Sequence, residues 1–219
     1  TYLCADDQHF RILDLTSAFT ANTSRGIYNT LESRDESLRF KKWGTLKHRD
    51  VPFDIISPTR STTGKNVLVL QGGAGIARNY PREVEVPVGR PATKLHFLGA
   101  AGWGFPIGKK DDPVVKITAH FAGGETEEMI FRNGVEFADY IAKIDVPGSE
   151  ALDNLDQLLS NGRQVRYFAK SLTKRGVIEK LTIASYNNEV APTLVAITAE
   201  VGEGGPASGP AFVSLAGSP

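Results

Sequence analysis

The sequence predicts an all-β chain: an antiparallel β-sandwich or jelly roll with one or two short helices. Three observations carry that expectation. Apolar side chains recur at every second position through several segments, which is the spacing of half-buried strands. Clusters of glycine, proline and asparagine punctuate the chain between those segments. One stretch alone carries a clear helical spacing of leucines. Many short strands with few helices call for two packed sheets, not a parallel sheet wrapped by helices.

Taken in order, residues 10–15 form the first expected strand and 22–42 a long connection. Residues 66–70 (N-V-L-V-L) read as a short apolar strand. In 82–88 (R-E-V-E-V-P-V), Val84, Val86 and Val88 share one face and charge occupies the other. In 113–121, Val115, Ile117, Ala119 and Phe121 lie on one side, with Lys116, Thr118 and His120 opposite. Residues 93–98, 164–169, 178–184 and 193–201 alternate less cleanly, and the pattern puts His96 as well as His120 on a polar face. Turns are read at 89–91, 99–106, 123–124, 133–134, 161–162 and 187–188. A helix is expected to start from a Ser149 cap, with Leu152, Leu155, Leu158 and Leu159 on one side and Asn161-Gly162 as its stop. A further turn of helix fits 135–143. Residues 1–201 read as a single sandwich domain whose irregular N-terminal part is 1–50. Residues 202–219, opening G-E-G-G-P-A-S-G, read as a linker-like tail.

Charge and composition narrow the function. The chain has 25 Lys plus Arg against 25 Asp plus Glu, a formal net charge of zero, and no run of like charges. A nucleic-acid partner, which needs phosphate neutralisation, is therefore not expected. No apolar run approaches the ~20 residues that span a bilayer, so membrane insertion is not expected either. Residues 1–7 do not read as a signal peptide. The single cysteine, Cys4, excludes an intramolecular disulfide and argues against a Cys/His zinc cluster.

The stretch Q-G-G-A-G at 71–75 invites a nucleotide reading. A dinucleotide fingerprint needs its glycines to open a helix, and here Pro81 and an alternating strand follow instead. No Lys-Ser/Thr pair of the phosphate-loop type follows either. The glycines are read as a loop between strands. No H-E-x-x-H or G-x-S-x-G motif is present. The acidic pairs Asp6-Asp7, Asp111-Asp112 and Glu127-Glu128 are sequence neighbours, not two carboxylates converging across a cleft. No enzyme is expected, no catalytic metal, and no cofactor apart from room for a structural calcium among loop oxygens of Asp14, Asn22, Asp111 and Asp112.

The order of segments adds a resemblance. Val51-Pro52-Phe53-Asp54-Ile55-Ile56, the strand at 66–70, residues 81–88 and A-T-K-L-H-F-L-G-A-A-G-W at 92–103 follow one another. The strand at 114–121, Asn133-Gly134-Val135-Glu136-Phe137-Ala138-Asp139-Tyr140 and Ala191-Pro192-Thr193-Leu194-Val195-Ala196-Ile197-Thr198 complete the series. This succession, over residues 10–201, resembles the galactose-binding-like β-sandwich modules of bacteria, close to the NPCBM (novel putative carbohydrate-binding module) group. The resemblance implies a noncatalytic accessory module of a secreted multidomain protein, located outside the cell or in the periplasm. Its partners would be a polysaccharide or oligosaccharide and the neighbouring domains of a larger polypeptide. The alternative is a structural or protein-interaction sandwich without a sugar site.

A sugar presents apolar C–H faces and a ring of hydroxyls, so its site needs an aromatic platform beside Arg, Asp or Asn. In 99–112, Trp103 and Phe105 stand among glycines outside any strand period. In 72–81, Arg78, Asn79 and Tyr80 stand together. These five residues are the expected carbohydrate site, with Trp103 foremost. Trp43 is expected to pack the irregular N-terminal part, and Asp139-Tyr140 to fix a local turn.

Overall fold

The computed structural model describes residues 9–24, 26–28, 38–141, 143–160 and 162–201. Antiparallel sheets packed against each other make the chain an all-β sandwich, as the alternation predicts. The strands are β1 (Phe10–Ile12), β2 (Gly44–His48), β3 (Val51–Ile55), β4 (Leu68–Val69), β5 (Glu83–Pro91) and β6 (Lys94–Gly102). They continue with β7 (Pro113–Phe121), β8 (Thr126–Arg132), β9 (Glu150–Ala151), β10 (Arg166–Ser171), β11 (Val177–Ser185) and β12 (Ala191–Glu200). One sheet runs β1-β12-β6-β10-β9, with β4 also paired to β12; the other runs β5-β11-β7-β8. The tail at 202–219 and Cys4 lie outside the described residues, as does much of the connection expected at 22–42.

Alternation fills the space between the sheets. Leu95 and Phe97 of β6, Phe168 of β10 and Ile197 of β12 meet Val115, Ile117 and Ala119 of β7, Phe131 of β8, and Leu181 and Ile183 of β11. Three phenylalanines form its centre: Phe97 stacks on Phe168 at 5.3 Å, and Phe131 closes on both at 5.2 and 5.1 Å. The less clean alternation of β11 and β12 has a physical cause. Ile178 and Leu181 both face this core although three apart, as do Leu194 and Ile197. The ladder to β7 shifts register between Ile178 and Lys180, and that to β6 between Leu194 and Ala196, each absorbing one extra residue.

A second core covers the opposite face of the β6 sheet. Leu98, Ala100, Val195 and Ala196 pack there against Val51, Phe53 and Ile55 of β3 and against Leu152, Leu155, Leu158 and Leu159. The hairpin β2–β3 is not foreseen by the alternation. Its Arg49-Asp50 turn has φ of 48° and 64°, the backbone of a primed hairpin turn built without the usual glycine. Strand β8 is likewise unforeseen.

Three expectations need correction. The helix is one turn, α1 (Leu155–Leu158), preceded by Asn154 in the left-handed region with no side-chain cap. Ser149 caps nothing: Glu150 and Ala151 are strand, and the Ser149 hydroxyl accepts from Arg166 Nε at 2.7 Å. The four leucines are buried as the spacing demands, but only Leu155 and Leu158 are helical. His96 is not on a wet face. It is 2% exposed, because the second core covers that side of β6. No helix forms among the described residues of 135–143.

A candidate site at the loop end of the sandwich

Strands β6, β8 and β11 finish, and β5, β7, β10 and β12 begin, at one end of the sandwich. The connections 70–82, 103–112, 133–149 and 186–190 therefore crowd together there. Buried Asn133 accepts from the Phe105 amide at 2.6 Å and donates to the Lys109 carbonyl at 2.8 Å. Buried Asp139 accepts from the Gly104 amide at 3.0 Å and the Ile141 amide at 2.9 Å. These two side chains clamp the 103–112 loop, so Asp139 fixes more than its own turn.

The clamp sets Trp103 at φ 55° and lays its ring on the glycine loop. A Cβ at Gly73 would stand 2.4 Å from Trp103 Cε3, and one at Gly72 would stand 2.2 Å from the Val190 carbonyl oxygen. Gly72 and Gly73 thus serve the close approach of a neighbouring backbone and a ring, while Gly75 serves a left-handed turn. Trp103 meets Tyr28 edge-on at 5.1 Å, and Tyr28 leans on Tyr140 at 5.3 Å. The Tyr28 hydroxyl shares a hydrogen bond with Thr193 Oγ1 at 2.8 Å. Tyr80 donates its hydroxyl to the Ile27 carbonyl. Burial pushes the Tyr80 phenol up to about 12 and that of Tyr28 well above its ordinary value.

The five expected site residues accordingly divide. Trp103 and Tyr80 are half-buried and pack on the second core. Arg78 and Asn79 are exposed at the tip of the glycine loop. Phe105, also half-buried, sits where Gly134 leaves room, 3.1 Å from the place of a Cβ. Trp43 is 40% exposed and tilts against Phe40 at 5.5 Å.

Beside this cluster lies an open cleft of about 500 Å³ lined by Arg82, Glu83, Lys116, Ala184, Ser185 and Tyr186. Ser185 builds it: its amide donates to the Arg82 carbonyl at 2.8 Å, and its hydroxyl donates to the Gln71 carbonyl. The cleft is thereby joined to the base of the glycine loop. Tyr186 is 36% exposed, with its amide bonded to the Val114 carbonyl at 3.3 Å. Lys116 donates to Glu128 at 2.8 Å, and that bond, with smaller contributions from Tyr186 and Glu83, holds its ammonium above the ordinary lysine range. The arrangement offers a ring face, guanidinium and ammonium donors, and carboxylate acceptors. Tyr186 is the residue the sequence reading passes over. Its signal is an aromatic placed directly before the Asn187-Asn188 turn, at the end of an alternating strand.

Two of the suggested calcium donors, Asp14 and Asn22, have hydrogen-bond partners. Asp14 spends Oδ1 on the Thr16 amide and hydroxyl, and Asn22 serves Ser24 and Gly64. Among the described residues no group of three or more His, Cys, Asp or Glu side chains is placed to hold a metal ion. His96 and His120 stand in different sheets, His120 bonded to Thr182 at 2.7 Å and His96 to Tyr167 at 2.8 Å.

Compared with protein-family models, with curated proteins and with solved structures, the chain finds no match.

Proposed function

We propose that this chain is a noncatalytic carbohydrate-binding module that attaches a larger secreted protein to a polysaccharide. The observation that carries the reading is the exposed Tyr186 ring beside Arg82, Glu83 and Lys116 in a cleft of about 500 Å³. That size lies within the range of small-ligand sites. A pyranose would lay its C–H face on Tyr186, with hydroxyls donating to Glu83 and accepting from Arg82. Trp103 packs on the second core and the glycine loop, outside the cleft lining, and Arg78 and Asn79 are exposed on that loop, whose base residue Gln71 is bonded to Ser185 of the cleft.

Affinity electrophoresis through gels containing a panel of polysaccharides tests this. The wild-type chain is retarded by at least one of them. Tyr186→Ala loses the retardation with an unchanged melting temperature, whereas Trp103→Ala lowers the melting temperature. No retardation in any gel overturns the reading.

A second reading has its own observation. Ile76 and Ile107, one on each neighbouring loop, are 42% and 63% exposed. Exposed apolar loop tips favour a protein partner, so a sandwich that docks a neighbouring domain is the alternative. Loss of such docking in Ile107→Asp, with no polysaccharide bound, would favour it.

A further inference from the structure

A second site stands on the outer layer, away from the loop-end cleft. His48 closes β2 and is 4% exposed, its ring 4.9 Å from that of Tyr167. Its Nε2 lies 2.9 Å from Glu150 Oε1, and Glu150 is held in turn by Arg49 at 2.5 Å. A carboxylate only accepts, so in the neutral ring the proton sits on Nε2 and Nδ1 carries a lone pair. That buried Nδ1 has no hydrogen-bond partner among the described residues. The polar group facing it is Asp153 Oδ2 at 3.8 Å, beyond hydrogen-bond reach, on a side chain that is 83% exposed. Both residues line a cleft of about 200 Å³ whose apolar lining is Leu46, Leu152 and Leu158.

We propose that this cleft binds a primary ammonium group on a short apolar or sugar stem, its nitrogen seated between His48 Nδ1 and the Asp153 carboxylate. Two acceptors face each other there, and a hydroxyl has one proton to give while an ammonium has three. The charge fits as well. Glu150 is already matched by Arg49, and Asp153 is left to match the ligand. Asp153 turns on its exposed side chain to admit the nitrogen, and the leucines take the stem. Lys42 and Lys47 border the same cleft and oppose positive charge, so a single ammonium held by Asp153 is favoured over a diamine. The volume equals the liquid share of roughly seven waters, so the ligand is small.

The test is a titration of the isotopically labelled chain followed at the His48 imidazole nitrogens by NMR. Butylamine and glucosamine are the probes, with butanol and glucose as uncharged counterparts. A saturable shift of Nδ1 with either amine and not with its counterpart is expected. A response to butylamine alone identifies an alkylamine, and to glucosamine alone an amino sugar. Asp153→Asn weakens the response about tenfold, the effect of removing one charge-assisted hydrogen bond, without changing the melting temperature. No shift with either amine, an equal shift with the uncharged counterparts, or an unweakened response in Asp153→Asn overturns the proposal.

Discussion

The two sheets of the sandwich are made of similar strands in different surroundings. In the β5-β11-β7-β8 sheet one face packs inward and the other is wet. Lys116 pairs there with Glu128, and Lys180 with Glu85. In the other sheet β6 and β12 are buried nearly end to end, because the β2–β3 hairpin and the leucines around α1 cover the outside. The wet sheet needs alternation, whereas the covered sheet needs every polar group matched. Thr198 donates to the Pro52 carbonyl at 2.5 Å, and His96 bridges Tyr167 at 2.8 Å and Glu200 at 2.9 Å. Thus His96 is satisfied within the sheet, while the Thr198–Pro52 and His48–Glu150 hydrogen bonds, with apolar contact, join the outer layer to it.

The strongest way to break this comparison is to remove one large side chain from each core. Phe97 belongs to the inner core and Phe53 to the outer, both fully buried. Phe97→Ala and Phe53→Ala should each lower stability by about 3–5 kcal/mol in urea unfolding. A loss under about 1 kcal/mol for Phe53→Ala alone would reduce the outer layer to a loose cover. Glycine substitutions sharpen the same point at the loop end. Gly75, at φ 86° with open space around it, should lose about 1 kcal/mol on change to alanine, the cost of the left-handed backbone. Gly73→Ala should lose about 3 kcal/mol, since strain and collision with Trp103 combine. Equal losses at the two positions would mean that Trp103 does not lie on Gly73.

The smallest expected effect is a pH dependence. Burial holds His96 below its ordinary value of 6.5, partly offset by the hydrogen bond to Glu200. The folded state therefore takes up its proton at lower pH than the unfolded state. His96 contributes fully above about pH 6.5, and its contribution falls as pH drops from there towards the folded value. Urea midpoints at pH 7.5 and 5.5 should differ less in His96→Gln than in the wild type.

The cleanest alternation belongs to two strands of the wet sheet, although β8 of the same sheet is unforeseen and the main strands of the covered sheet are expected from less regular patterns. Strands β5 and β7 follow from Val84, Val86, Val115, Ile117 and Ala119, because a face in water leaves polar residues at every second place. The covered sheet hides that sign. His96 reads as a surface residue by its polarity and is buried because Tyr167 and Glu200 satisfy it. The β2–β3 hairpin was missed because Arg49-Asp50 adopts a turn that normally advertises itself with glycine or asparagine. Of the loop-end site, Trp103, Tyr80, Arg78, Asn79 and Phe105 were placed in loops correctly. Which rings face inward depends on Gly73, Tyr28 and Asp139, contacts across long sequence separations that local pattern does not encode.

The most direct measurement is chemical-shift mapping of the labelled chain against oligosaccharides cut from whichever polysaccharide retards it. Saturable shifts centred on Arg82, Glu83, Lys116 and Tyr186, fading towards Arg78 and Asn79, are expected. Shifts centred instead on the wet face around Thr118 and Lys180, with none at Tyr186, would contradict recognition at the loop end.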